Sequence, residues 1–348
     1  MVTSPPSAKY LYRHALAPED RERLPYYRSL LERLSGSLLA RQLLDEIPLD
    51  QRNPMLVLAA LHFSALSGDA LLSHLYREIS NSDPDAFAID VVSALEAHPE
   101  LVRNHLSRKT QTNEPGRSAV LAQLLRELAA KGLSDVHLID VGTSMGLNLF
   151  PDRYHVNADV SNNPLSLELI DLWGGLVAGP LPVVHQRIGI DLNPLDPRNP
   201  EDVRWLEACL WPEEPIRTWR LRQILTDMNS WPEVERIRGS ALEVIDDVLE
   251  SCSQDGVPII FHSWAAAYFD HDYQVAWREK MLRHTRRRAF WIYIEFPKSV
   301  GGLAPPEAPT PAPRPGASQI VVTEPGREPA SWGWSHSHGR WIALDRPR

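Results

Sequence analysis

The run from His137 to Asn148, HLIDVGTSMGLN, places Asp140, Gly142, Ser144 and Gly146 at alternate positions, a spacing that admits two chemistries. It reads as a buried strand entering a turn of small residues and then a helix. Gly142 and Gly146 can take backbone angles closed to other residues, and their missing side chains let a ligand approach the main chain. The helix beyond would offer unpaired N–H groups. One chemistry is a nucleotide-like cofactor held by Asp140, Gly142, Thr143, Ser144, Gly146 and Asn148. The other is nucleophilic catalysis by Ser144 in the frame Gly142-x-Ser144-x-Gly146, with Glu295 and His338 completing the order serine, acid, histidine.

Further candidates follow at the ends of other predicted strands. Asp191, with Asn193 two residues on, could accept from both hydroxyls of a ribose; it lies about 50 residues beyond Asp140, against about 20 in a plain dinucleotide fingerprint. The same Asp, Asn and Pro residues also suit a simple turn. His262, Ser263 and Trp264 end a later strand, where His262 could take a proton near neutral pH, and Glu295 is a second candidate base. Gln111, Thr112, Asn113, Glu114 and Arg117 precede a helix that runs back along the first strand, so they are expected at the pocket edge, with Arg117 suited to clamping a carboxylate. They suit a helix cap equally. Asp196, Arg204 and Trp205 form a charged and aromatic neighbourhood that is a candidate for substrate contact. His336 and His338 would share a face of a strand, but too few other ligands stand near them for a metal site.

These residues need a scaffold that changes character along the chain. Residues 18–131 show helical spacing with repeated caps, such as Asn53-Pro54 before an apolar run, and no fixed repeat. From 132 strands alternate with helices, which implies a parallel sheet covered on both faces. Seven strands are expected, over 136–141, 183–191, 234–238, 258–262, 290–296, 319–323 and 340–344. Helices are expected over 147–153, 203–210, 214–227, 241–251 and 273–284. The fold class is thus α/β, with a helical domain over 1–115 and a sheet domain over 116–348. An insertion of undecided structure occupies about 155–182, and the proline-dense stretch 304–315 is expected to be a mobile extended loop.

Composition narrows the functions. The 348 residues, 43% apolar and 23% charged, describe an ordinary globular protein. A formal charge of -9 argues against a nucleic-acid or anionic-membrane partner. The arginines between 283 and 288 close a helix, where its dipole favours cations. Two cysteines, Cys209 and Cys252, allow no disulfide framework, and neither a signal sequence nor a long apolar run is present, so a soluble cytoplasmic protein is expected.

Several blocks together resemble the bacterial family catalogued as a domain of unknown function, number 2332. They are QTNEPGR from Gln111, DVGTSMGLNL from Asp140, GIDLNPLD from Gly189, DVRWLEACLWP from Asp202, FHSW from Phe261 and HGRW from His338. The resemblance implies a Rossmann-like fold of the Class I methyltransferase type behind a helical extension, S-adenosylmethionine as cofactor, and a small-molecule acceptor that it does not name. In that setting Asp140 would either orient the loop backbone or face a methionine-like ammonium group. Ser240 and Ala241 would border the adenine, with Ser240 where such enzymes tend to carry a carboxylate. A non-catalytic sensor of the same fold and the serine hydrolase are the alternatives, and the oligomeric state is left open.

Overall fold

A computed structural model describes residues 6–16, 18–49, 52–157 and 163–345. The chain divides into two compact units, one made of 1–112 with 196–226, the other of 113–195 with 227–348.

The first unit is helical. Its core helix, Pro54–Leu66, starts where Asn53 accepts from the amide of Met55 and proline takes the first helical position, a start that leaves fewer orphan amides to satisfy. That helix is buried almost throughout. The helices Pro200–Ala208 and Pro215–Asp227 belong here although they come between two strands of the sheet. Trp205 buries its ring against Phe63 and donates its indole N–H to the carbonyl of Lys109. Glu213 accepts from the amides of Tyr26 and Tyr27, capping from afar the helix Pro25–Gly36, whose own cap position is Leu24. Among the described residues no single helix is long and apolar enough to cross a membrane; only the pair Pro54–Leu66 and Ala70–Arg77 passes by length and composition, and it is bent by 102°.

The second unit is a mixed α/β sheet. Its strands are β1 (Asp135–Val141), β2 (His155–Val156), β3 (Ser166–Leu167), β4 (Ile170–Asp171), β5 (Val183–Asp191), β6 (Glu235–Arg238), β7 (Val257–Ser263), β8 (Phe290–Glu295), β9 (Ser318–Thr323), β10 (Ala330–Ser335) and β11 (Trp341–Leu344). Nine of them form one sheet in the order β4-β11-β10-β9-β8-β7-β1-β5-β6, and β2 pairs with β3 apart from it. β6, β5, β1, β7 and β8 are parallel neighbours, while β8 to β11 run as an antiparallel meander. Chain order reverses between β5-β1 and β1-β7, the place where open α/β sheets take ligands beyond the carboxyl ends of the strands.

The sheet corrects the expectation of seven strands. β10 was missed because Ala330, Ser331, Gly333 and Ser335 leave no β-branched residue in the segment, and Gly333, with φ of +128°, breaks the pattern that marks a strand. A Cβ on Gly333 would come within 2.0 Å of the carbonyl oxygen of Ala343 on the neighbouring strand, so only glycine fits. β4 comes from the insertion, which reaches the far edge of the sheet to pair with β11. The helix expected over 147–153 is a single 3-10 turn, Leu147–Leu149. Pro151 removes a donor and pushes Phe150 out of the helical region, so propagation stops at once. The proline-dense stretch is tethered: Thr310 accepts from Trp334, Pro306 from Gln319, and Arg314 stacks over Trp341.

Candidate functional site

The turn after β1 is built from bonds that it makes to its own surroundings. Gly142 and Thr143 donate to the carbonyl of Ile190 on β5, Ser144 to Asp191 Oδ2 at 2.9 Å, Gly146 to Thr143, and Leu147 to Asn113 Oδ1. Five turn amides are thus spent. Thr143 packs so tightly on β5 that a Cβ on Gly189 would lie 2.5 Å from its methyl group, and a Cβ on Gly142 would lie 2.6 Å from that of Ala265. A glycine inside a strand signals such an approach, and Gly189 was the signal available in the sequence. The expectation of a following helix is therefore corrected: it is one turn long, and its first amide, that of Leu147, is taken by Asn113.

Asp140 is 3% exposed, within reach of the charge of Arg117 on the helix Gly116–Ala130, with Oδ2 unpartnered among the described residues. Burial pushes its carboxyl up to about 7; the Thr143 hydroxyl pulls down, the charge of Asp191 pushes up, and Arg117 pulls down. Arg117 is buried too, donating to the carbonyls of Ser263 and Ser337. Gly116 and Gly339 touch so closely that a Cβ on either would clash with the other's segment, which seats the turn at 336–339 on the helix start. Two of the blocks read in the sequence, those at Gln111 and His338, thereby supply adjoining residues. Asn148 accepts from Ser118. Asp191 takes Ser144 on one oxygen and the amide of Asn193 on the other, and Asn193 in turn accepts from Arg238.

His262 and Glu295 stand on the opposite face of the sheet, because side chains alternate along β7 and β8. His262 is fully buried beneath Trp277 of the helix His271–Thr285. Its Nε2 faces the indole N–H groups of Trp291 at 3.1 Å and Trp277 at 3.4 Å. Indoles only donate, so Nε2 is the acceptor and Nδ1 carries the proton, given to Glu295 Oε1 at 2.9 Å. The same oxygen accepts from the amides of Ala265 and Ala266 at 3.0 Å. In this arrangement His262 has no lone pair left over for the general-base role expected of it. The pair instead holds the turn after β7, where Trp264 adopts φ of +57° and Ala265 meets Gly142. Nor does Glu295 orient His338, whose amide donates to His336 Nδ1; both histidines lie in the turn between β10 and β11 and not on a strand.

Ser144 has φ of +53°, so the turns leaving β1 and β7 each carry a non-glycine residue in the left-handed region. Around them Asp140 Oδ2, Ser144 Oγ, Ser263 Oγ and Glu295 Oε2 are buried without a partner among the described residues. Buried polar atoms are rarely left so, and strained backbone concentrates where ligands bind. Ser240 is half-buried and shares a hydrogen bond with the hydroxyl of Tyr273, which also accepts from Leu242, a contact with no signal in the sequence. Ala241 is buried. Glu114 caps its own helix by accepting from Gly116. Trp264 donates to Ser318 and stacks on Phe296.

The remaining candidates belong to the helical unit. There Gln111 donates its amide to Cys209 Sγ, Thr112 is exposed, the amide of Asp196 donates to Asp202, Arg204 lies over Phe63, and Trp205 fills the core.

The chain belongs to the family described as "Uncharacterized protein conserved in bacteria (DUF2332)", which it matches over residues 10–343. No curated protein and no solved structure matches it.

Proposed function

We propose that this family member binds S-adenosylmethionine at the end of β1 and transfers its methyl group to a small-molecule acceptor. One observation carries the reading: at the reversal of strand order, the acid ending β5 is hydrogen-bonded to the small-residue turn ending β1, Asp191 Oδ2 to Ser144 N. The occupied amides then select among nucleotide-like ligands. A dinucleotide or nucleoside phosphate needs free N–H groups at the turn, and here most of them are spent, beside two carboxylates that repel a phosphate. S-adenosylmethionine has no phosphate. It presents ribose hydroxyls and a cationic methionine end, which suit acceptors.

The residues fit those groups. The Asp191 carboxylate bonds through one position on each oxygen, leaving lone pairs for ribose hydroxyls. Asp140, buried with an unpartnered oxygen, would pair the ammonium group. The Ser240 and Ala241 segment would line the base. Bound there, the cofactor supplies an electrophilic methyl group on sulfur. The chain's own part is to position the acceptor and exclude water, since orientation alone removes much of such a barrier.

Calorimetric titration tests the reading. S-adenosylmethionine and S-adenosylhomocysteine should bind the full chain, and Asp191→Ala should weaken both by about tenfold or more. Failure of either ligand to bind at millimolar concentration overturns it.

A further inference from the structure

At the opposite end of the second unit's strands, where β7 and β8 begin, the helices Ala241–Ser251 and His271–Thr285 flank an open cavity of about 370 Å³. Its floor is apolar, formed by Leu249, Pro258 and Ala289, and its walls carry Arg283, Arg287 and Arg288. We infer that this cavity is a binding site for a small phosphate-bearing molecule, separate from the site at the end of β1. The volume lies in the range of small-ligand pockets. Guanidinium forks match phosphate oxygens two at a time.

The charges do not cancel internally. Asp246, in the lining, is already taken by Lys280 Nζ and His284 Nε2, each at 2.7 Å, and these contacts hold its carboxyl below the usual range. Three guanidiniums then face the one carboxylate of Glu250. The C-terminus of the helix His271–Thr285 opposes an anion with roughly half a negative charge, which the arginines outweigh. Arg288 is fixed in place by Gln254 Oε1 and the carbonyl of Cys252, whereas the side chains of Arg283 and Arg287 make no hydrogen bond or ion pair with any described residue. A merely solvated helix end needs no concave floor and no anchored third arginine. In a chain of net charge -9 the cluster is a local concentration of positive charge that suits an anionic ligand.

Titration of the full chain with inorganic pyrophosphate tests the site. The expected result is saturable binding, weakened about tenfold or more in Arg283→Ala/Arg287→Ala, the loss of charge-assisted bonds. Arg286→Ala, exposed and outside the cavity, should leave binding unchanged. The double variant removes only exposed side chains, so circular dichroism should show an unaltered fold. No saturable binding at millimolar pyrophosphate overturns the inference. So does an equal loss in Arg286→Ala, which would show diffuse attraction to surface charge.

Discussion

Asp140 couples the candidate site to pH through its burial. Its carboxyl is raised from 3.8 to about 7 in the folded chain, so the folded state holds its proton more tightly than the unfolded state does. The resulting stability is complete below about pH 4, fades as pH rises through 7, and changes no further above that. The shift caps the effect at about 4 kcal/mol. Asp140→Asn, which keeps the shape and cannot ionise, should flatten the fall in urea stability between pH 5 and pH 8 and exceed the native chain at pH 8. Equal slopes for the two proteins would contradict the assigned cause. A cationic ligand reverses the preference by favouring the carboxylate, so S-adenosylmethionine should bind more tightly as pH rises through 7 in the native chain and lose that dependence in the asparagine variant. Ser144 gives a second residue-scale expectation. Its hydroxyl has no partner and its φ is +53°, so Ser144→Gly should hold or gain stability by about 1 kcal/mol, read as a higher urea midpoint at unchanged slope. A loss above that size would mean the side chain supports the turn. The spacing in HLIDVGTSMGLN disclosed this turn plainly, but the protonation of Asp140 depends on its burial in the folded chain, which no local pattern encodes.

Between elements, β7 and β8 are tied by His262 and Glu295, and this tie reaches the glycine turn through Ala265 and Gly142. His262→Leu preserves bulk but strands two indole donors and part of the Glu295 carboxylate. Each unpaired buried group costs about 1–3 kcal/mol, so a loss of about 3 kcal/mol or more is expected in chemical unfolding. Cofactor affinity of the folded fraction, measured by calorimetry, should change little, because Glu295 keeps its bonds to the amides of Ala265 and Ala266 and so still holds the turn. An undiminished stability with abolished methyl transfer would restore the histidine as a catalytic group. The strands β1, β5, β7 and β8 were legible because apolar runs bounded by turn residues leave few alternatives, and β5 was expected over its observed span. The roles of His262 and Glu295 were not. A histidine at a strand end reads as a base until its neighbours are known, and the two tryptophans that occupy its lone pair arrive from 15 and 29 residues away. The glycine turn's missing helix has its local signal in Phe150-Pro151, which cannot propagate a helix.

At the scale of the molecule, the chain leaves the sheet unit after Leu195 and returns at Asp227, having lent two helices to the other unit. Locally that segment reads as an ordinary crossover between parallel strands, since its apolar periodicity says that it packs and not against what. Its contacts show how much the first unit depends on it. Trp205 is fully buried against Phe63, Glu213 caps the helix Pro25–Gly36, His62 bonds to the carbonyl of Ala208, and Arg108 pairs with Glu201. Residues 1–112 alone would expose the Phe63 face and leave two first-turn amides uncapped, losing a large aromatic contact and a buried carboxylate bond together. Removing either kind of support costs about 1–3 kcal/mol or more, against marginal stabilities of about 5–15 kcal/mol. The fragment 1–112 should therefore show no cooperative thermal transition by circular dichroism, while a chain carrying 1–112 linked to 196–226 should regain one. A sharp transition in the short fragment would mean that its own core suffices and that the lent helices are accessory.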